Sequence, residues 1–455
     1  MTFSPPTPTS TPASGPPRQR RLLAWLTVLS LLGLPRASVA APEVELITMG
    51  PGTTLFDGFG HAALRVVDAE AGTDLVYTFG AIAYDGVLLG WRFLRGEVLF
   101  ESRVRSWKKV LRSYTRQDRT IYRQRLALLP GEHRWLAARL AESVLPENKY
   151  YRYHHFRDNC STRPRDLVDR ATGGAVRRAL LRPSPDGRTI RELGLEGLSL
   201  NAPLLLVMNV VLGRLTDHPT TGWEAAYVPA RLREELAVAT RELHGRVVPL
   251  AAPVEVVYAR QAPLRRLPIG WGAGLAGLLG GLGLLVGLLL LTRPASTRWL
   301  PRLQGATALA WVLVGGSLGL ALDTVALSEL VPEFRINENL FLFTLLDLGL
   351  LWPALVWLSG RRAGRLLAGA SYYLLVRGIV AVGVLLAQVT GLLIQPPLTL
   401  AAMVAATMLP LGLSGLRLAR SSESYAPASA APPPAALLPS PPRRRKEAKK
   451  AGKVR

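Results

Sequence analysis

One uncharged stretch constrains most strongly what this chain can fold into. Residues 267–292 carry no charged side chain and are rich in Gly and Leu. A helix needs about 20 apolar residues to cross the hydrocarbon of a bilayer, so this stretch is long enough to span one. The whole chain is 49% hydrophobic, yet it has 55 Lys and Arg against 32 Asp and Glu. This combination is typical of a membrane protein with basic flanks rather than of a soluble enzyme.

Four further apolar stretches follow the first one. They cover about residues 305–322, 340–358, 366–388 and 397–416. Cytoplasmic loops are enriched in Lys and Arg, and the arginines here cluster in alternate loops: Arg293, Arg298 and Arg302, then Arg361, Arg362 and Arg365, then Arg417 and Arg420. The other loops contain only Arg335. The pattern predicts five membrane helices, with the preceding domain outside the cytoplasmic membrane and the C-terminus inside.

The N-terminus has the pattern of a secretory signal peptide. Basic residues up to Arg21 precede the apolar run 22–34, and the small residues Ser38-Val39-Ala40 follow it. We predict cleavage after Ala40, and an uncleaved anchor helix is the alternative. The predicted organisation is therefore a disordered N-terminus and signal peptide (1–40), an exported domain (41–262), a transmembrane helical domain (263–420) and a disordered Pro/Ala-rich, basic cytoplasmic tail (421–455).

Two predicted spans contain an ionisable residue, which is costly in hydrocarbon unless it has a partner. Asp347 and Arg377 lie at similar depths in the third and fourth spans, counted at about 1.5 Å per residue. We therefore predict that Asp347 and Arg377 pair. The pair either locks two helices together or has a catalytic or lipid-binding role.

The single cysteine of the chain, Cys160, lies in the exported domain and has no partner for an intramolecular disulfide. It is either an inert buried thiol or a reactive one. The sequence after it, with Pro164, predicts the first turns of a helix. A helix N-terminus and the nearby Arg157, Arg163 and Arg165 should lower the pKa of the thiol and favour the nucleophilic thiolate.

A nucleophilic cysteine also needs a base. His61 is the best candidate, because it begins a stretch of alternating apolar residues that predicts a strand, and a base usually reaches the nucleophile from another element. Tyr77 or Thr78, on the next predicted strand, is a candidate to orient the imidazole.

Three residues around Cys160 have two interpretations each. Asn159 could donate to an oxyanion or cap the helix. Arg163 and Asp166 are three residues apart on one helix, so they could contact substrate or simply pair with each other, and we favour the pair. The scattered histidines have no metal-ligand spacing, so no metal site is predicted.

Several motifs resemble one bacterial family. The segments GFGHAALRV, YTFGAIAYDG, FLRGEV and YRYHHFRDNCSTRPRDLVD occur in the order seen in the exported domain of the Lnb-type bacterial lipoprotein N-acyltransferases. The later MNVVLGRLTDHPTTGWEAAYVPARLREEL and PEFRINENLFLFTLLDL continue the resemblance, and the DNCSTR block is its most specific part. Where the family tends to have a carboxylate before the aromatic pair, this chain has His154-His155.

The resemblance implies an α+β fold, in which an exported, circularly permuted papain-like (NlpC-like) domain precedes an all-α membrane domain of about five transmembrane helices. It implies that Cys160 is the nucleophile and His61 its base. The implied reaction moves a phospholipid acyl chain through a Cys160 thioester to the N-terminal amine of a lipoprotein at the periplasmic face of the inner membrane. It needs no cofactor, and no nucleic-acid partner is expected. The alternatives are a membrane-tethered cysteine peptidase or amidase, and a non-catalytic envelope module.

Overall fold

The structure is a computed structural model that describes residues 41–54, 57–82, 99–326 and 332–423. The predicted signal peptide and the last part of the predicted tail, from residue 424, lie outside these residues.

The exported part is built around an antiparallel sheet. Its strands, and those of a separate hairpin, are β1 (Glu43–Met49), β2 (His61–Asp68), β3 (Thr73–Ile82), β4 (Leu99–Ser106), β5 (Ile121–Arg125), β6 (Tyr150–Arg152), β7 (Thr240–Leu243), β8 (Arg246–Pro249) and β9 (Glu255–Tyr258). The seven-stranded sheet has the order β6-β4-β3-β2-β1-β5-β9, and β7 pairs with β8. In the central pairs Leu64 lies opposite Tyr77, and Met49 lies opposite His61.

Short helices connect and cover the strands. They are α1 (Trp107–Arg116), α2 (Pro130–Glu142), α3 (Thr162–Ala171), α4 (Ala175–Leu180), α5 (Ile190–Gly197), α6 (Ala202–Val211), α7 (Gly222–Ala225) and α8 (Pro229–Val238). The β-strand alternation of side chains divides the sheet into two packed faces. One face, with Ala63 and Ile47, packs against Val110 of α1. The other, with Leu64 and Tyr77, packs against α2, α3, α4 and α8.

The membrane part consists of apolar helices. They are α9 (Trp271–Thr292), α10 (Leu300–Trp311), α11 (Ser317–Ala326), α12 (Pro332–Arg335), α13 (Leu351–Leu358), α14 (Arg365–Val389) and α15 (Leu398–Glu423). Within the described ranges four helices are long and apolar enough to cross a membrane, with α10 and α11 counted as one helix, 300–326. A fifth span results if the bent pair 332–341 and 345–358 is counted as one.

Glycines explain why α9 and α15 pack closely. A Cβ added to Gly283 would lie 2.2 Å from the Thr407 hydroxyl, and one added to Gly287 would lie 2.2 Å from Pro410. Small residues allow membrane helices to approach each other in this way. The Gly/Leu-rich composition of the first span therefore sets its packing partner.

The third predicted span, 340–358, is not one continuous helix. Its chain bends by 47° and passes through a 3-10 turn, Leu345–Leu350, before α13 begins. Arg377 of α14 donates to the carbonyls of Phe341 and Leu342 at the bend. Irregular backbone at membrane depth requires such internal partners.

The structure brings Asp347 and Arg377 together. The Arg377 Nε lies 3.1 Å from Asp347 Oδ1, and Asp347 is fully buried. Tyr373 donates to the same carboxylate at 2.6 Å, and the Trp311 indole donates at 2.9 Å. A carboxylate with this many donors is satisfied without a ligand, so its geometry favours the helix-locking interpretation.

The loops of the membrane part fall at two opposite ends. Two loops contact the exported part: Asn337, before the bend, donates to the Val210 carbonyl, and Gln395, between α14 and α15, donates to the Leu212 carbonyl. At the other end, Arg362 donates to the carbonyls of Ser296 and Thr297. The loops rich in arginine are therefore those remote from the exported domain.

Candidate active site

Cys160 and His61 belong to neighbouring elements at one end of the sheet. Cys160 lies two residues before α3, and His61 is the first residue of β2. Extending the β2–β3 register by two residues sets His61 opposite Gly80. A Cβ added to Gly80 would lie 3.5 Å from the Cβ of Cys160, so the missing side chain makes room for the cysteine. Gly80 also has φ +95°, a conformation that favours glycine.

Cys160 as a whole residue is half-buried, while its thiol lies in a desolvated environment. The backbone N–H groups of Ala62 and of Cys160 itself lie near the sulfur and act to lower the pKa of the thiol. Burial nevertheless raises the pKa of Cys160 to about 11. The predicted fall in this pKa is therefore wrong.

The three arginines near Cys160 in sequence are engaged elsewhere, which explains that error. Arg157 pairs with Glu333 at 2.8 Å, and Arg165 pairs with Asp166 at 2.8 Å. Arg163 stands over the Tyr151 ring at 3.4 Å and pairs with Asp158. Desolvation of the thiol thus outweighs the positive charge that the sequence places beside it.

The expected pair of Arg163 with Asp166 does not form. Arg163 reaches back to Asp158 at 2.5 Å, and Asp166 accepts from its neighbour Arg165 instead. Side chains on a helix lean toward its N-terminus, so Arg163, in the first turn of α3, meets Asp158 before the helix. Arg163 therefore holds Asp158, in the loop before Cys160, while Asp166 holds Arg165.

Asn159 acts as a cap in this structure. Its side-chain oxygen accepts from the backbone N–H groups of Ser161 and Thr162, both at 2.8 Å. Its amide nitrogen donates to the carbonyls of His155 and Tyr227. Because both amide hydrogens have acceptors, the geometry favours the capping interpretation over an oxyanion donor.

His61 lies among aromatic and charged side chains that the sequence did not indicate. Its ring stacks on Tyr114 with centroids 6.3 Å apart. Burial, followed by the charge of Arg119, lowers the pKa of His61 to about 4, while Asp57 opposes the shift. Within the described ranges no hydrogen bond joins the His61 ring to the Cys160 thiol. The two groups are therefore a neutral imidazole and a neutral thiol near pH 7.

Neither candidate for orienting His61 is placed to do so. Tyr77 lies in the core with Ala62 and Leu64, on the sheet face opposite to that of Ala63. The Thr78 hydroxyl is directed to the Arg103 carbonyl at 3.5 Å. The prediction of an orienting role for Tyr77 or Thr78 is not supported by these positions, because the alternation of β2 directs His61 to the Ala63 side.

His154 and His155, which precede Cys160, contact two segments that are distant in sequence. His155 is half-buried, and its ring makes an edge contact with Phe59 of the GFGH segment at 4.6 Å. Burial lowers the pKa of His155 to about 4. His154 lies 3.6 Å from Glu333, which also pairs with Arg157. The segment before Cys160 is thus held by the turn before His61 and by the membrane part.

The turn before His61 has its own link to the membrane part. Arg266, which lies before α9, donates to the carbonyls of Gly58 and Glu196. A long exported domain is translocated largely regardless of such charges, and here the arginine also has a structural partner. Both segments that carry the candidate reacting groups therefore contact the membrane part.

Among the residues that the structure describes, no group of three or more His, Cys, Asp or Glu is placed to hold a metal. Three tyrosines lie close to Cys160. Burial raises the pKa of Tyr114, Tyr151 and Tyr153, and the charge of a Cys160 thiolate would add to the rise. The site can therefore position a thiol and a base among hydroxyl groups that stay protonated at neutral pH.

The high pKa of Cys160 predicts a specific pH dependence of alkylation. Only the thiolate reacts with iodoacetamide, so the rate should stay low at neutral pH and rise until about pH 11. At pH 8 the rate should be about 100-fold below that of a free thiol, since the pKa is about two units above its ordinary 9.0. The chain has one cysteine, so mass spectrometry of the alkylated protein reports this site alone. A rate that levels off near pH 7 would contradict the prediction.

The fold and the site define a membrane protein with an exported α+β domain, in which a lone thiol lies beside a strand histidine. Residues 34–193 match the family model of the Lnb N-terminal periplasmic domain. The match supports the Lnb-type assignment that the motifs predicted, and it indicates that the exported part contains a periplasmic domain. No curated protein and no solved structure matches the chain.

Proposed function

We propose that this protein is a membrane-anchored acyltransferase that moves a phospholipid acyl chain through a Cys160 thioester to the N-terminal amine of bacterial lipoproteins. One observation carries the proposal. The only thiol of the chain belongs to a half-buried residue, lies close to the backbone N–H of Ala62 directly after His61, and falls in the segment that matches the Lnb N-terminal periplasmic domain. A thiol in this position has a candidate base, His61, and a backbone donor, the N–H of Ala62, on adjacent residues of β2.

The neutral resting state determines how the thiol is activated. With pKa values of about 11 for Cys160 and about 4 for His61, a stable thiolate–imidazolium pair is disfavoured. His61 therefore removes the thiol proton as sulfur attacks the ester carbonyl, which is general-base catalysis. The Cys160 S–C bond forms, the ester C–O bond breaks, and the lysophospholipid alkoxide takes the proton from His61.

The second half-reaction uses the same groups. The lipoprotein α-amine attacks the thioester carbonyl and forms an amide, His61 takes a proton from the amine, and the Cys160 thiol leaves with a proton. The N–H groups of Ala62 and Cys160 that lie near the sulfur are backbone donors of the kind that can stabilise an oxyanion beside it. No net oxidation or reduction occurs.

The link to the membrane part supports lipid substrates. Glu333 and Arg266 tie the Cys160 and His61 segments to the apolar helices. Donor and acceptor are both confined to a bilayer, so this attachment holds the site where they meet. We further propose the orientation in which this end is periplasmic and the arginine-rich loops and C-terminus are cytoplasmic, in the inner membrane.

Intact mass spectrometry of the purified protein with phospholipid tests the proposal. Wild type should gain an acyl mass that hydroxylamine removes. Cys160→Ser should form no hydroxylamine-sensitive adduct, and His61→Ala should slow the gain about 100-fold or more, the usual contribution of a general base. His244→Asn is a matched control, because His244 is exposed in a turn with φ +50°, which Asn tolerates.

The outcomes separate the alternatives. Acyl loading followed by transfer to a lipopeptide amine supports the transferase. Cleavage of an envelope peptide without acyl loading would instead indicate a peptidase or amidase. A Cys160 that is neither acylated nor alkylated at high pH would leave a non-catalytic module as the better interpretation.

A further inference from the structure

Arg119 is a buried guanidinium with one unused donor. It lies between α1 and β5 and is 2% exposed. Its Nε donates to the Gly50 carbonyl at 2.8 Å, and its Nη1 donates to Asp57 at 3.0 Å. Its Nη2 is buried and has no hydrogen-bond partner among the described residues.

An unpaired N–H on a buried cation is unfavourable, because the group has lost its water and gained no acceptor. Arginine cannot relieve this by losing its proton, and its planar fork is fixed here by contacts with Gly50, Asp57 and Gln117. An oxygen atom with negative charge is the acceptor that would complete the set best, since charge-assisted bonds are the strongest. The unused donor therefore points to a ligand rather than to packing alone.

The donor lies beside the candidate reacting groups. The Arg119 guanidinium stands 4.8 Å from the centre of the Tyr114 ring, and the same ring stacks on His61. The charge of Arg119 also lowers the pKa values of His61 and Cys160, after the larger effect of burial on each. Asp57 is the acidic group that faces Arg119, and it occupies Nη1, which leaves Nη2 for a second anion.

We propose that Arg119 Nη2 binds an anionic oxygen of the acyl donor. This inference rests on the proposed acyltransferase function. The oxygen has two possible sources, the phosphate of the lipid headgroup and the oxyanion that forms when Cys160 attacks the ester. Each source gives a different kinetic signature, so the experiment distinguishes them.

The first experiment measures ligand binding without turnover. A short-chain ether phospholipid, which has a phosphate but no ester to cleave, is added to wild type, Arg119→Lys and Arg119→Gln. Cys160 alkylation at pH 10 is then followed by mass. Arg123→Gln is the matched control, because Arg123 is partly exposed on β5 and pairs with Glu255. Thermal unfolding of each variant checks that it folds, and Arg119→Lys retains the charge that balances Asp57.

If the phosphate is the ligand, the ether lipid protects Cys160 in wild type and in Arg123→Gln, and about 10-fold more lipid is needed in both Arg119 variants. The second experiment compares acylation by phospholipid and by diacylglycerol, an ester without phosphate. A headgroup contact raises KM for the phospholipid alone. An oxyanion contact instead lowers kcat about 100-fold with both donors and leaves protection unchanged.

Equal protection and equal kcat and KM in wild type and in folded Arg119 variants would overturn the inference while leaving the acyltransferase intact. If wild type is acylated by neither donor, the proposed function fails. The protection experiment then still decides whether Arg119 binds the phosphate, and equal protection overturns the inference in that case too.

Discussion

Replacing Asp347 by Ala should lower the free energy of unfolding of the membrane part by about 3–5 kcal/mol, the usual cost of removing one partner of a buried ion pair. The substitution leaves Arg377 charged and buried, and it removes the acceptor of Tyr373 and Trp311. Thermal unfolding of the protein in detergent, followed by helical circular dichroism, measures the loss. Asp323→Asn is the control, because Asp323 is only partly buried and, within the described part of the chain, accepts one backbone hydrogen bond, from Leu345.

A double variant, Asp347→Ala with Arg377→Met, separates the two roles of the arginine. It removes both charges but leaves the carbonyls of Phe341 and Leu342 without their donor. We expect its stability to lie between that of Asp347→Ala and wild type, with a coupling energy above about 1 kcal/mol. Unchanged unfolding in Asp347→Ala would show that the pair does not lock the bent span.

Replacing Gly60 by Ala should have the second large effect. Gly60 has φ +85°, and an added Cβ would lie 2.6 Å from the carbonyl oxygen of Met49, a backbone atom that cannot move aside cheaply. Strain and overlap together should cost roughly 2–5 kcal/mol. Because His61 follows directly, the shift should also slow Cys160 acylation about 10-fold or more.

Gly72→Ala provides the matched comparison for that substitution. Gly72 has φ +63°, but an added Cβ would meet no atom within 4 Å. The Gly72→Ala variant should lose only the stability that corresponds to backbone strain at positive φ, about 1–2 kcal/mol, and should be acylated at the wild-type rate. Equal losses of stability and acylation in the two variants would mean that the Met49 contact does not position His61.

The parts of the structure that follow from local pattern were predictable. The uncharged run before Arg293 is a helix, β2 begins at His61, and a helix begins just after Cys160. Hydrophobic periodicity and helix-start signals predict these helices and strands, because the structure of each depends mainly on residues that are close together in the sequence. The match of residues 34–193 to the Lnb domain also followed from local motifs.

The parts that depend on distant contacts were not predictable. Tyr114, Arg119 and Asp57 come from separate segments, and no spacing rule connects them to His61. Charges near Cys160 in sequence indicated a low pKa, but their side chains point to other partners, so burial dominates. The bend of the third span likewise involves a distant contact, because the Phe341 carbonyl at the bend accepts from Arg377 on the next long helix, 36 residues later.

The contact of Glu333 with Arg157 makes the exported domain structurally incomplete without the membrane helices. A fragment ending near residue 262 would keep Cys160 and His61 but lose Glu333, together with the Arg266 contact to Gly58. Both loops would then lack a hydrogen-bonded or charged partner that holds them in the whole chain. Enzymology on such a water-soluble fragment would therefore describe a differently shaped site, and the intact protein in detergent or nanodiscs is the appropriate material for inhibitor screening.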